Sequence, residues 1–309
     1  MNRVFTALFI AVASLSACTK PKQDAIAVVL KNQNVDYWNQ ISKAIISECE
    51  KNGVKPILTF NNENDDVQGQ LANIAGLNDS RSSYNIKGVI VAPVFTAEDH
   101  RVEEAIANFA GKDIPVIVVD TPLDEKSSPL KDIYKSYVGT DNKKAGEQLA
   151  SSIGAGKAST ILIAKVESSA PSSERYEGFC NLMQQHIPTW ETRDTDTVEH
   201  LKKQLEEHPG VENLVVFNGS LCDSILKGTD GLNVYTFDVY KSFLLNLKDP
   251  SGNIQMVVAQ DTFEMGRSSV NAILRPNGKK NIFIPTINIT RDNLNSSEVK
   301  PYMEYYNIK

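Results

Sequence analysis

Four apolar runs in the chain stop on a side chain able to grip a hydroxylated ligand: 114–120 on Asp120, 213–218 on Asn218, 233–238 on Asp238 and 254–260 on Gln260. A fifth station follows the first apolar run, where the stretch 31–38 places Asn34, Asp36, Tyr37 and Trp38 at a loop and the start of a helix. Carboxylates accept from hydroxyls, amides accept and donate, and aromatic faces cover the C–H faces of a sugar ring. Each residue has an alternative role. An Asp just past a strand also caps the next helix, and Tyr37 and Trp38 also suit packing between lobes. Acid and amide nevertheless recur at one structural station in both halves of the chain, and independent caps do not require Asn and Gln there as well.

These stations need strands to hold them. Short, β-branched apolar runs at 26–30, 56–60, 88–92, 115–119, 160–164, 214–217, 234–237 and 256–259 alternate with amphipathic stretches at 37–52, 65–79, 97–110, 143–153, 172–185, 197–207 and 264–274. Runs without in/out alternation suit strands covered on both faces, and strand–helix–strand repeats imply right-handed crossovers. The expected fold is therefore α/β, with two doubly wound parallel-sheet lobes joined by a hinge near Thr140. Ligands of open α/β sheets sit beyond the carboxyl ends of the strands, where the polar stations fall. The expected division is residues 25–139 with 261–289 in the first lobe and 140–260 with 290–309 in the second. No Gly/Ser linker separates them, as a hinge between apposed lobes requires. The segment 295–309 reads as a docking strap or a partly ordered end.

The 309 residues are 41% apolar and carry a formal charge of −6 with dispersed Lys and Arg, which argues against many phosphate contacts and so against nucleic acid. His100, His186, His200 and His208 form no ligand spacing with the cysteines, so no metal or other cofactor is expected. Cys49, Cys180 and Cys222 read as buried small side chains, with a Cys180–Cys222 bridge as the alternative. The stretch 154–157, GAGK, lacks the Gly that a phosphate-binding loop needs, because position 151 is Ser. There is no GxSxG elbow.

The N-terminus carries its own signal. Arg3 precedes twelve mostly apolar residues, 4–15, and small residues follow. As a helix such a run rises about 18 Å, short of a bilayer core of roughly 30 Å. Residues 1–17 are expected to be an export signal. The sequence LSAC at 15–18 resembles the lipobox of bacterial lipoproteins, which implies an acylated Cys18, a linker 18–24 and membrane attachment.

Several longer markers occur in a specific order: DYW at 36–38, IPVIVVD at 114–120, GTDN at 139–142 followed by Ala145-Gly146, SSERYEGF at 172–179, HPGVENLVVFN at 208–218, TFD at 236–238 and VVAQDTFEMG at 257–266. With these the chain resembles the periplasmic sugar-binding proteins of the ribose and galactose type, the type I substrate-binding proteins of ABC transporters. The resemblance implies Tyr37 and Trp38 as stacking aromatics, Asp120 as a hydroxyl acceptor, and Arg175, Asn218, Asp238 and Gln260 as contacts from the second lobe and hinge. A guanidinium offers five fixed donors, although Arg175 also suits a surface helix position. It further implies an exported monomer that captures a monosaccharide or small polyol without covalent chemistry and delivers it to a permease. A sensor presenting sugar to a membrane receptor or histidine kinase would use the same pocket. A glycosidase would need a carboxyl pair such as Asp120 and Asp238. Effector domains of LacI-type repressors share the fold, but no helix-turn-helix precedes the first strand here. Two positions depart from the ribose pattern: Thr121 stands where Arg is usual, and Gly219 where an acid or amide often follows Asn218.

Overall fold

A computed structural model describes residues 21–94, 99–124, 126–153, 160–165, 170–183, 189–193 and 198–309. The expected export signal, Cys18 and the 154–157 stretch lie outside them. The first lobe opens with β1 (Gln23–Asn32), α1 (Asp36–Lys51), β2 (Lys55–Asn61), α2 (Val67–Ser83), β3 (Tyr84–Val91), α3 (Arg101–Ala110), β4 (Val116–Val119) and β5 (Tyr134–Gly139). The chain then enters the second lobe through α4 (Asn142–Ile153), β6 (Ile161–Lys165), α5 (Ala170–Met183), β7 (Thr189–Arg193), α6 (Val198–Glu207), β8 (Asn213–Val216), α7 (Gly219–Ile225), β9 (Asn233–Phe237), α8 (Lys241–Lys248) and β10 (Ile254–Gln260). It returns for α9 (Thr262–Leu274) and β11 (Asn281–Phe283), and crosses again into β12 (Thr286–Ile289) and α10 (Lys300–Tyr305).

Two six-stranded sheets result, ordered β11-β5-β4-β3-β1-β2 and β12-β10-β9-β8-β6-β7. All pairings are parallel except β10 with β12. Residues 25–30 of β1 are fully buried, because one core cluster covers each face of the first sheet. The second sheet is covered in the same way. This double cover is why the central strands read as unbroken apolar runs.

The expected end of the first lobe at 289 is corrected by the pairing. β12 bonds to β10, with Val257 opposite Ile289 and Gln260 opposite Thr286, so the last crossing falls between Phe283 and Thr286. The strands without a strong apolar signal are β5, β7, β11 and β12. Three of these are sheet edges, which proteins keep short and polar. β5 is internal but includes Lys135 and Ser136, and the Ser136 hydroxyl donates to the carbonyl of Lys279 at 2.7 Å.

The tail acts as a strap. Tyr302 and Tyr306 of the tail are buried in the second-lobe core. Tyr305 donates to Asp36 at 3.0 Å, while the Tyr306 hydroxyl accepts from Gln40 and donates to the carbonyl of Val239. The tail thus touches α1 of the first lobe and the segment just past β9 in the second.

Candidate functional site

β4 and β9 hold the same place in their sheets, each followed by the strand that leads to a crossing. Asp120 and Asp238 end these two strands in the same conformation, with φ of 64° and 62°. Their amides are tied alike, Asp120 to the carbonyl of Val138 on β5 and Asp238 to that of Val258 on β10. A positive φ in a non-glycine residue costs about 1–2 kcal/mol, and Asp tolerates it better than most. Both lobes therefore turn a carboxylate sharply off a strand end by one device.

The two acids meet through a seam. The Tyr37 hydroxyl donates to Asp120 Oδ1 at 2.5 Å and lies 3.3 Å from Gln260 Oε1. Gln260 Nε2 donates to Asp238 Oδ1 at 2.7 Å. Arg175 Nη1 pairs with Asp238 Oδ2 at 3.7 Å and donates to the carbonyl of Phe217 at 3.2 Å, while its Nε donates to Asn142 Oδ1. The guanidinium also lies 4.6 Å from the centre of the Phe237 ring. It is a buried positioned charge and not a surface one, at 3% exposure for the residue.

Charges balance locally. Asp238 faces Arg175. Lys31 donates to Thr121 Oγ1 at 2.9 Å, and Thr121 donates to Asp120 Oδ2 at 3.0 Å. Lys31 of β1 thus stands one hydroxyl away from Asp120. Burial lowers the pKa of Lys31, and Asp120 and Asp65 partly oppose this. Burial, reinforced by Asp120, raises the Tyr37 phenol well above its ordinary 10.0, so it remains a donor at neutral pH.

The structure joins Tyr37, Asp120, Gln260, Asp238 and Arg175 in one network and leaves three expected residues outside it. Asn34 is exposed on the loop after β1, bonded to Asn32 and Asn62. Asn218 caps α7, its Oδ1 accepting from the amide of Leu221 at 2.9 Å. Trp38 is 5% exposed and packs in the first-lobe core; its indole donates to Asn64 and its ring lies 5.7 Å from Lys31 Nζ. Gly219 has a steric reason: a Cβ there would come within 2.6 Å of the Phe237 carbonyl and 2.9 Å of the Tyr240 ring.

Sequence reasoning missed Lys31, Asn142 and Tyr137, whose hydroxyl donates to the carbonyl of Asp120 at 2.8 Å. Lys31 sits at a strand end like the others and was legible by the same rule. The alternative Cys180–Cys222 bridge does not form, since Cys222 is a buried free thiol; Cys49 is buried as expected, whereas Cys180 is only half-buried. Among the described residues no cluster suits a metal ion, and no helix is long and apolar enough to cross a membrane.

Two doubly wound lobes whose facing strand ends share a polar seam define a two-lobed ligand-binding protein. Comparison of the sequence with family models agrees: residues 26–280 match the periplasmic binding protein domain, and the chain belongs to that family. No curated protein matches it. Similar solved structures include GanP, a glucose-galactose binding protein from Geobacillus stearothermophilus, at 19% identity and TM-score 0.70 over 88% of this chain and 99% of that one. An ABC transporter solute-binding protein from Agrobacterium vitis bound with alpha-D-tagatopyranose is 19% identical, with TM-score 0.72 over 90% and 98%. A LacI-type transcriptional regulator from Bacteroides fragilis is 18% identical, with TM-score 0.67 over 89% and 99%. At such identities the likeness is one of fold.

Proposed function

We propose that the protein is an exported solute-binding lipoprotein that captures a monosaccharide or similar small polyol between its lobes and delivers it to an ABC transporter permease. The observation that carries this reading is the seam from Asp120 to Asp238 through Tyr37 and Gln260. Its acids, amide and phenol are the groups that bond vicinal hydroxyls, and they come from both lobes. A ligand contacting both lobes has more interactions in the closed form, so its differential affinity drives closure. The closed shape is then what a permease recognises. The network holds and orients; it forms no covalent intermediate. The family and the saccharide-binding neighbours support this class of ligand.

In this reading Cys18 carries the acyl chains, the ligand contacts are Tyr37, Asp120, Arg175, Asp238 and Gln260, and Trp38 backs the pocket wall. Asn34 and Asn218 frame its rim. Calorimetry tests the assignment. Asp120→Ala and Asp238→Ala should each weaken monosaccharide binding by about 2–5 kcal/mol, roughly 30-fold to several-thousand-fold. Unchanged affinity in either folded variant removes that residue from the site. A thermal-shift screen over pentoses, hexoses and cyclic polyols identifies the ligand, since a bound ligand stabilises the fold by RT ln(1 + [L]/Kd). If no compound in such a screen raises the melting temperature, the sugar reading fails.

A further inference from the structure

Beside the hinge, lined by residues 140–143 and by Phe283, lies a pocket of about 300 Å³. We propose that it is a second subsite continuous with the seam, holding a second hydroxylated ring, so that the preferred ligand is a disaccharide whose first ring sits at Asp120 and Asp238. The inference rests on the reading of the seam as a sugar site. The pocket's volume lies at the lower end of small-molecule sites.

Its lining has the chemistry of a sugar site. Tyr134, Tyr137 and Phe283 supply aromatic surface, and Asn142, Glu174 and Thr140 supply polar groups. Phe283 is 52% exposed on a three-residue strand, and it is the one aromatic among the large exposed apolar side chains of the described residues. Its ring meets that of Tyr137 edge-on at 6.2 Å. Thr140 is 4% exposed, and its hydroxyl is one of two buried side-chain polar atoms without a partner among the described residues. Such orphans are rare and costly in a finished fold.

Hydrogen bonds tie residues of the pocket lining to the seam. Tyr137 bonds the main chain of Asp120, and Asn142 joins Arg175 to Glu174 at 3.0 and 3.1 Å. Residues of both lobes line the pocket, so an occupant favours closure as one at the seam does. Burial raises the Tyr137 phenol, with Asp120 and Glu174 adding to the shift and Arg175 opposing it, so the hydroxyl stays a donor at neutral pH.

Isothermal titration of the full chain decides, using lactose, melibiose, cellobiose, maltose, xylobiose and arabinobiose beside their component monosaccharides. At least one disaccharide should bind about tenfold more tightly than either component. Phe283→Ala and Thr140→Val should each remove most of that advantage while leaving monosaccharide affinity within about twofold, and Thr140→Val, which removes a buried orphan hydroxyl, should not lower the melting temperature. If monosaccharides bind and no disaccharide exceeds them, or if the advantage survives both substitutions, the second subsite is overturned while the seam reading stands. If no saccharide binds, both are.

Discussion

At the scale of single residues, Asp120 and Asp238 carry a backbone cost that their neighbours do not, with φ of 64° and 62° at matched strand ends. The cost has a measurable sign. At ordinary positions Ala is more stable than Gly, because Gly gives the unfolded chain more freedom. At Asp120 the order should invert: Asp120→Gly is expected to be more stable than Asp120→Ala by about 1–2 kcal/mol, read from urea midpoints. Both variants should lose ligand affinity alike, since both lack the carboxylate that Tyr37 and Thr121 bond. If Ala proves the more stable, the backbone turn at Asp120 carries no such strain. The acids themselves were legible as the polar ends of apolar runs. Their partnership was not, because Tyr37 and Gln260 are separated by 223 positions.

At the scale of elements, the α4–α5 contact positions the Arg175 side of the seam. Gly146 and Gly178 let the two helices touch along their backbones: a Cβ on Gly146 would fall on the carbonyl oxygen of Arg175, and one on Gly178 on that of Lys143. Mid-helix Gly costs about 1 kcal/mol relative to Ala, so propensity alone favours Gly146→Ala. The steric conflict should win. That variant is expected to lose about 1–3 kcal/mol of stability and to bind ligand more weakly, because α5 carries both Arg175 and Glu174 away from Asn142. Chemical denaturation with calorimetry on the same preparation checks this; wild-type stability and affinity together would show that the helices separate without strain. Edge elements were the least legible. β7 and β11 lack apolar runs, and β12 takes its place from its pairing with β10, which no local pattern encodes.

At the scale of the whole molecule, burial sets an alkaline limit. The Cys222 thiol is pushed up from 9.0 to about 12 and the Cys49 thiol to about 11, in both cases first by burial. The Tyr305 phenol rises from 10.0 to about 12 by burial and Asp36, and Tyr37 and Tyr302 also rise, first by burial. The folded state keeps protons that the unfolded state releases above about 9 to 10. This contribution to stability is complete below those ordinary values and is lost as pH climbs toward the folded ones. Lys31, whose pKa is lowered, works in the opposite sense but is a single group. Melting temperatures recorded from pH 8 to 11 should fall progressively beginning near pH 9. A flat profile would mean that these groups are not protected in solution.

Alternating apolar runs and amphipathic stretches determined the two-lobed α/β fold, and the strand-end rule picked out Asp120, Asp238 and Gln260, because burial on both faces and the direction of parallel strands are written locally. Only the tertiary structure decided that Tyr37 bridges the lobes and that Lys31 reaches Asp120 through Thr121, partners 223 and 90 positions apart, whereas Asn218 caps α7 through a local bond to Leu221. The two long-range contacts depend on which strand ends one sheet sets near each other and which side chains the two lobes bring together across the hinge. Both are set by the packing of the whole chain and not by any segment of it.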